Sequence, residues 1–138
     1  MKDYIYQLEM KVRDYECDIQ GIVNNSVYQN YLEHTRHEFL KDVLKMDFAD
    51  LARKNITPVV YRIEIDYKTP LKSGDSFYSK LNVSKSGNLK IIFHQDIFRK
   101  QDNKLIVKGI VTAVVLENGK PVKSDNFINP IKDKLINE

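Results

Sequence analysis

Val12-Arg13-Asp14-Tyr15-Glu16-Cys17-Asp18-Ile19-Gln20-Gly21-Ile22-Val23-Asn24-Asn25-Ser26-Val27-Tyr28, running on to Phe39 without a glycine or proline, is the stretch that decides the fold. A β-like segment ends near Tyr15, and a compact loop carrying Asp18 and Gly21 follows. Asn24-Asn25-Ser26 then supplies a cluster of good helix caps. From Ser26 to about Lys45, apolar positions from Val27 through Tyr31, Leu32 and Phe39 to Leu44 recur at helical spacing. Glu33, Arg36, His37 and Lys41 fall among the polar positions between them. So wide a stripe predicts a long helix packed deep against a sheet. One carboxylate therefore stands just before the positive end of a helix dipole. A carboxylate beside backbone N–H donors suits acyl-transfer chemistry.

Outward from this stretch, residues 4–14 alternate apolar and polar, as a half-buried strand does. Phe48 to Lys54 predicts a short second helix with Asp47 as its cap. From Thr57-Pro58 onward the chain reads as strand. Val59, Tyr61, Ile63, Ile65 and Tyr67 alternate against Arg62, Glu64, Asp66 and Lys68. Ser73-Gly74-Asp75, Ser86-Gly87-Asn88 and Asn118-Gly119 mark turns. Leu105 to Leu116 is β-branched and dense enough in apolar residues for a central strand. The tail from about residue 126 is expected to be loose or weakly helical. Connections this short favour antiparallel neighbours. One helix on one face of such a sheet is an α+β two-layer domain, here a single domain over 1–138.

The bulk numbers narrow the function. Hydrophobic residues make up 42% of the chain, enough for a core, and the net charge of +3 is too weak to argue for nucleic acid. No apolar run approaches the about 18 residues of a membrane span. A single cysteine, Cys17, allows no intrachain disulfide. Met1-Lys2-Asp3-Tyr4 lacks a signal-peptide core, so a cytoplasmic location is expected. The sequons at Asn24 and Asn82 then carry no weight.

The residues Asp18-Ile19-Gln20-Gly21-Ile22-Val23-Asn24-Asn25, followed by Tyr28 and Tyr31, resemble the hotdog-fold thioesterases of the 4-hydroxybenzoyl-CoA thioesterase-like group. Thr57-Pro58-Val59-Val60 and Tyr67-Lys68-Thr69-Pro70-Leu71-Lys72-Ser73-Gly74-Asp75 extend the likeness, which covers about residues 5–125. The resemblance implies a long central helix wrapped by a five-stranded antiparallel sheet. It implies subunits paired edge to edge as a homodimer or homotetramer, with the active site at the interface. It implies hydrolysis of acyl-CoA, or of an acyl-carrier-protein thioester, with no cofactor and no metal.

On that resemblance Asp18 is the nucleophile or general base, and Asn25 stands where some relatives carry His or Tyr. Gly21 and Asn24 complete the loop. On residue chemistry alone, Asp18 is equally a turn residue and Asn25 a helix cap. Tyr15 is either a hydrogen-bond donor to the site or a strand-end core aromatic. Val23, Tyr28, Tyr31 and Val59 are candidate walls of the acyl pocket. Lys85, Ser86 and Lys90 are candidates for coenzyme A phosphates, with Lys68 and Lys72 as alternatives; each is otherwise a solvated surface residue. A Cys17 nucleophile with His34 or His37 is disfavoured, because the carboxylates at 16 and 18 raise a thiol pKa. His34 and His37 are too few for a metal site. Glu33 and Glu38 read as surface or helix-pair residues. The rivals to the enzyme are a non-catalytic acyl-CoA or acyl-carrier-protein binding domain and, last, a hydratase, which would want a histidine in the 12–28 loop.

Overall fold

The computed structural model describes residues 3–137. In chain order the elements are β1 (Tyr6–Lys11), a single 3-10 turn (Asp14–Glu16), α1 (Asn25–Asp42), α2 (Phe48–Arg53), β2 (Ile56–Tyr67), β3 (Ser76–Ser86), β4 (Lys90–Arg99), β5 (Leu105–Glu117), β6 (Lys120–Val122), α3 (Asp125–Ile128) and a terminal 3-10 segment (Asn129–Lys134). The sheet is ordered β1-β3-β4-β5-β2 and every pairing is antiparallel. This is the hotdog arrangement expected, with one short addition. Asn118 and Gly119, both in the left-handed region, turn the chain back so that β6 pairs with the end of β5. There β6 takes up β5 beyond Ala113, where the pairing of β5 with β4 has ended.

Helix α1 lies on one face of this sheet. Tyr28, Tyr31, Leu32, Thr35, Phe39 and Leu40 are buried against it, as the stripe requires. Packing against β5 is tight at Gly109. A Cβ on Gly109 would stand 2.9 Å from Leu32 Cδ1 and 3.3 Å from the Gln95 carbonyl oxygen, so any larger residue here forces the Leu32 side chain to shift. Two apolar clusters result. Phe39, Leu40, Phe93 and Val111 anchor the one under the C-terminal half of α1. Tyr28, Tyr31, Leu71 and Phe77 anchor the other, under its N-terminal half.

Three expectations change. First, β2 carries a bulge between Val60 and Arg62 that leaves Tyr61 without a register partner. An extra residue shifts the alternation by one. Val60, paired with Ala113, therefore shares the helix side with Ile63, Ile65 and Tyr67, while Val59 pairs with Val114 on the outer side. Second, Arg36 is not on a solvated face but is 6% exposed. Third, of the two alternatives for the tail from 126, it is short helix and not loose. Phe127, Ile128 and Ile131 are buried in the larger cluster, the Ser124 amide donates to the Asn88 carbonyl at 2.8 Å, and the Ile136 amide donates to the Val83 carbonyl at 2.9 Å. Among the described residues no helix is long and apolar enough to cross a membrane.

Candidate active site

The block from Arg13 to Asn25 is built by its own backbone. In the 3-10 turn the Glu16 amide donates to the Arg13 carbonyl at 3.0 Å, and the Arg13 amide donates to Glu16 Oε1 at 2.8 Å. Asp18 to Gly21 then forms a closed turn, the Gly21 amide donating to the Asp18 carbonyl at 2.9 Å. Gly21 has φ +80° with open space around it, so backbone conformation rather than crowding demands glycine. Ile22 bridges to Lys72, and the Val23 amide donates to the Leu71 carbonyl at 2.9 Å, which pins the turn to the segment before β3.

Inside this turn Asp18 Oδ1 accepts from the Gln20 amide at 2.8 Å and the Ile22 amide at 3.4 Å. That is the Asx-type closure expected of a turn aspartate. It also holds the carboxylate in one orientation. Oδ2 has no hydrogen-bond partner among the described residues, and the residue is exposed. Two residues beyond the Val23 pin, α1 opens at Asn25 with Asn24 as N-cap, and the Asn24 side chain makes no capping bond. The first helical N–H groups are therefore not covered by a side-chain cap, and they carry the positive end of the helix dipole. The Tyr67 hydroxyl donates to the Asn25 carbonyl at 3.3 Å, which brings the end of β2 beside the helix start.

Asp18, Gly21, Asn24 and Asn25 are thus brought together. The other candidates are not. Val23 and Tyr28 are packed in the core, and the Tyr28 hydroxyl accepts from the Leu71 amide at 3.0 Å, so they support the loop rather than wall a pocket. Burial holds the Tyr28 hydroxyl above its ordinary pKa. Tyr15 is 74% exposed and opens on a groove between β1 and α1 with Arg13, Asn30 and His34. Val59 faces away from the helix side, as the bulge dictates. Lys85, Ser86 and Lys90 lie at the far end of β3 and β4. Nine residues of strand from Ser76 to Lys85, about 30 Å, separate them from this loop, and Lys85 is paired with Asp125 at 2.7 Å. Lys72, whose backbone bridges Ile22, is the nearer cation.

Two residues that support the site were not singled out from the sequence. Glu16 Oε1 accepts from the Tyr31 hydroxyl at 2.8 Å, and the Glu16 carbonyl accepts from the Asn24 amide at 3.2 Å. Glu16 therefore ties the 3-10 turn both to α1 and to its N-cap. Its three-residue spacing from Arg13 is the one available signal, since that spacing is what a capping box uses. Tyr67 left no signal, because its contact with Asn25 spans 42 residues. Partial burial, with the Asp18, Glu16 and Asp14 carboxylates, holds the Cys17 thiol above its ordinary value, against a thiolate nucleophile. Among the described residues no group of three or more His, Cys, Asp or Glu could hold a metal ion.

A cavity of about 540 Å³ lies farther along α1, between its C-terminal half, α2 and β2. Leu40, Leu51, Pro58, Val60 and Ile63 contribute apolar walls, Arg36 contributes a cation, and Glu33 and His37 lie on the same helix wall. The helix-side row of β2, from Tyr67 through Ile65 and Ile63 to Val60, runs beside α1 from the Asn25 end to this cavity.

The thioesterase-like superfamily profile matches residues 12–132. An acyl-acyl carrier protein thioesterase of Arabidopsis thaliana, ATL3, is 36% identical over 124 residues, which are 89% of this chain and 65% of that protein. A second Arabidopsis thioesterase of the same description, ATL2, is 37% identical over 82% of this chain and 60% of its own length. The chain thus spans somewhat less than two thirds of these relatives. A solved hypothetical protein from Aquifex aeolicus superposes with a TM-score of 0.83 at 26% identity, covering 92% of this chain and 99% of that one. By sequence and by fold, this chain belongs to the thioesterase-like superfamily.

Proposed function

We propose that this chain hydrolyses acyl thioesters, with Asp18 as nucleophile or general base and the N–H groups opening α1 polarising the thioester carbonyl. The observation that carries the reading is the orientation of one carboxylate. Asp18 Oδ1 is held by two amides of its own turn while Oδ2 is left unbonded and exposed, next to a helix N-terminus with no side-chain cap. Oδ2 is then the reacting oxygen. As nucleophile it attacks the carbonyl carbon, the thiolate leaves and takes up a proton, and water hydrolyses the resulting anhydride. As base it takes a proton from the attacking water. Either route places negative charge on the carbonyl oxygen, which backbone N–H groups and the helix dipole stabilise.

The acyl chain would follow the apolar row of β2 beside α1. The carrier is coenzyme A or an acyl-carrier protein, with Lys72 and Lys68 the nearer candidates for its phosphates. Lys85 and Lys90 could serve only a site on another subunit. A homodimer is supported by the edge that β2 presents: twelve residues long, with Val60, Tyr61, Ile63 and Tyr67 exposed. So long an apolar edge favours pairing with another strand. The β1 edge is half that length.

The test is thiol release from a panel of acyl-CoAs and acyl-carrier-protein thioesters by the wild type and Asp18→Asn. Asparagine keeps an oxygen for the Gln20 and Ile22 amides, so the turn survives while the charge is lost. Hydrolysis is expected to fall by roughly 10²–10⁴-fold. Full activity in the variant removes Asp18 from the chemistry. No turnover on any thioester, with binding retained, turns the protein into an acyl-binding domain.

A further inference from the structure

Arg36 has a peculiarity that hydrolysis at Asp18 does not use. The residue is 6% exposed, yet its side chain makes one hydrogen bond among the described residues, from Nη1 to Gln95 Oε1 at 3.0 Å. Gln95 is fully buried and is itself committed, its Nε2 donating to the Leu32 carbonyl at 3.0 Å. Among the described residues no salt bridge reaches Arg36; the acid beside it is the exposed Glu33, one turn back, which lines the same cavity and forms no ion pair with it. No inaccessible side-chain nitrogen or oxygen among the described residues lacks a partner. The remaining guanidinium N–H groups therefore face accessible space, and the space that Arg36 lines is the 540 Å³ cavity. A buried cation whose one nearby carboxylate is exposed and not paired with it is costly, and burial weakens its hold on the proton more than Glu33 restores it. A planar fork of N–H donors in apolar walls matches one chemical class well: a carboxylate on an apolar tail.

We propose that the cavity between α1, α2 and β2 is a binding site for a carboxylate with an apolar tail, the carboxylate bound by Arg36 and the tail lying against Leu40, Leu51, Val60 and Ile63. The site is distinct from the Asp18 loop. Arg36 stands 11 residues beyond Asn25, about 16 Å along the helix axis. Two molecules carry this chemistry. One is an acyl thioester whose far end bears a second carboxylate. An extended chain advances about 1.2 Å per bond, so some 13 bonds would reach from the helix start to Arg36. The other is a free fatty acid, bound as product or effector.

The experiment is calorimetric titration of decanoate and decan-1-ol, equal in tail and different in charge, into the wild type, Arg36→Met, Arg36→Lys and Ala52→Trp. The wild type should bind decanoate at least tenfold more tightly than decanol, a difference of about 1.4 kcal/mol. Arg36→Met should erase the difference. Arg36→Lys, which keeps the charge without the fork, should leave part of it. Ala52→Trp, which adds bulk at the α2 wall of the cavity and leaves residue 36 unchanged, should weaken both ligands. Equal binding of acid and alcohol to the wild type overturns the proposal. So does undiminished decanoate binding by Arg36→Met. Should Arg36→Met fail to fold, undiminished binding by both Arg36→Lys and Ala52→Trp overturns it equally. Binding needs no turnover, so the result stands apart from the role of Asp18. The two sources separate in kinetics. A preference for the CoA monothioester of tetradecanedioic acid over tetradecanoyl-CoA, lost in Arg36→Met, places the carboxylate on the substrate. Decanoate binding with no such preference makes the free acid the ligand.

Discussion

The two halves of α1 are built on different principles. The N-terminal half is packed with tyrosines whose hydroxyls reach outward to loop backbone and to Glu16: Tyr28 holds the Leu71 amide and Tyr31 holds the Glu16 carboxylate. The C-terminal half is packed with Phe39, Leu40 and Phe93, which hold nothing polar. The first half positions the loop that carries Asp18; the second supplies stability and encloses a cavity. Unpaired charge means different things at the two ends. At Asp18 an unbonded carboxylate oxygen is exposed to water and costs little, so it is informative only through its neighbours. At Arg36 a guanidinium with one hydrogen bond, to Gln95, is buried, where an under-partnered charge is expensive, so its place in the cavity wall is informative.

If the halves divide labour in this way, substitutions should separate stability from activity. The largest stability loss is expected at Phe39, which is fully buried and meets the rings of Tyr6 and Phe93 edge-on. Phe39→Ala should cost about 3–5 kcal/mol in urea unfolding, with little change in kcat of the protein that remains folded. Gly109→Ala comes next. It pushes a Cβ into Leu32, where the two halves meet, and should cost about 1–3 kcal/mol in the same measurement. A neutral result there would mean that the Leu32 side chain turns aside without cost.

Tyr31→Phe sharpens the comparison from the other side. It removes only the hydroxyl bonded to Glu16, so the stability loss should be about 1–2 kcal/mol. The loop it releases carries Asp18, and kcat should fall by on the order of tenfold with a smaller change in KM. Loss of stability without loss of kcat would break the division of labour. The smallest effect is the alkaline limb. Burial, then the bond to Glu16, holds the Tyr31 hydroxyl well above its ordinary pKa, and burial with Asp42 does the same for Tyr6. A raised pKa in the folded state gives stability that is complete below pH about 10 and is lost as pH rises above it, because the unfolded tyrosines ionise first. The urea midpoint should therefore decline between pH 9.5 and 11.5, and less steeply in Tyr31→Phe.

How much was legible follows from the range of each interaction. The Asp18–Gly21 turn, the start of α1 and the Asn118-Gly119 reversal depend on residues within a few positions of one another, and each was found where the sequence placed it. Glu16 as a tie to Tyr31 was half legible: its bond to the Arg13 amide is local, while its bond to Tyr31 spans 15 residues. Val59 was misplaced because alternation assumes an unbroken register. The bulge at Tyr61 is set by pairing with β5, some 50 residues away. Lys85 and Lys90 were assigned to a phosphate site that strand length alone carries about 30 Å from Asp18 in the same subunit.

The sequence by itself determined the order and type of the elements, the helix with its wide apolar stripe, and a carboxylate one turn ahead of that helix. Periodicity and turn chemistry act over a handful of residues, and a single chain displays both directly. Only the tertiary structure decided that the tail docks through Phe127 and Ile131, that Val60 rather than Val59 faces the helix, and that Arg36 is enclosed. Burial depends on which surfaces meet. A position beside the apolar stripe reads as solvent-facing until α2 and β2 close around it, and that closure turns an ordinary helix arginine into the charged wall of a cavity.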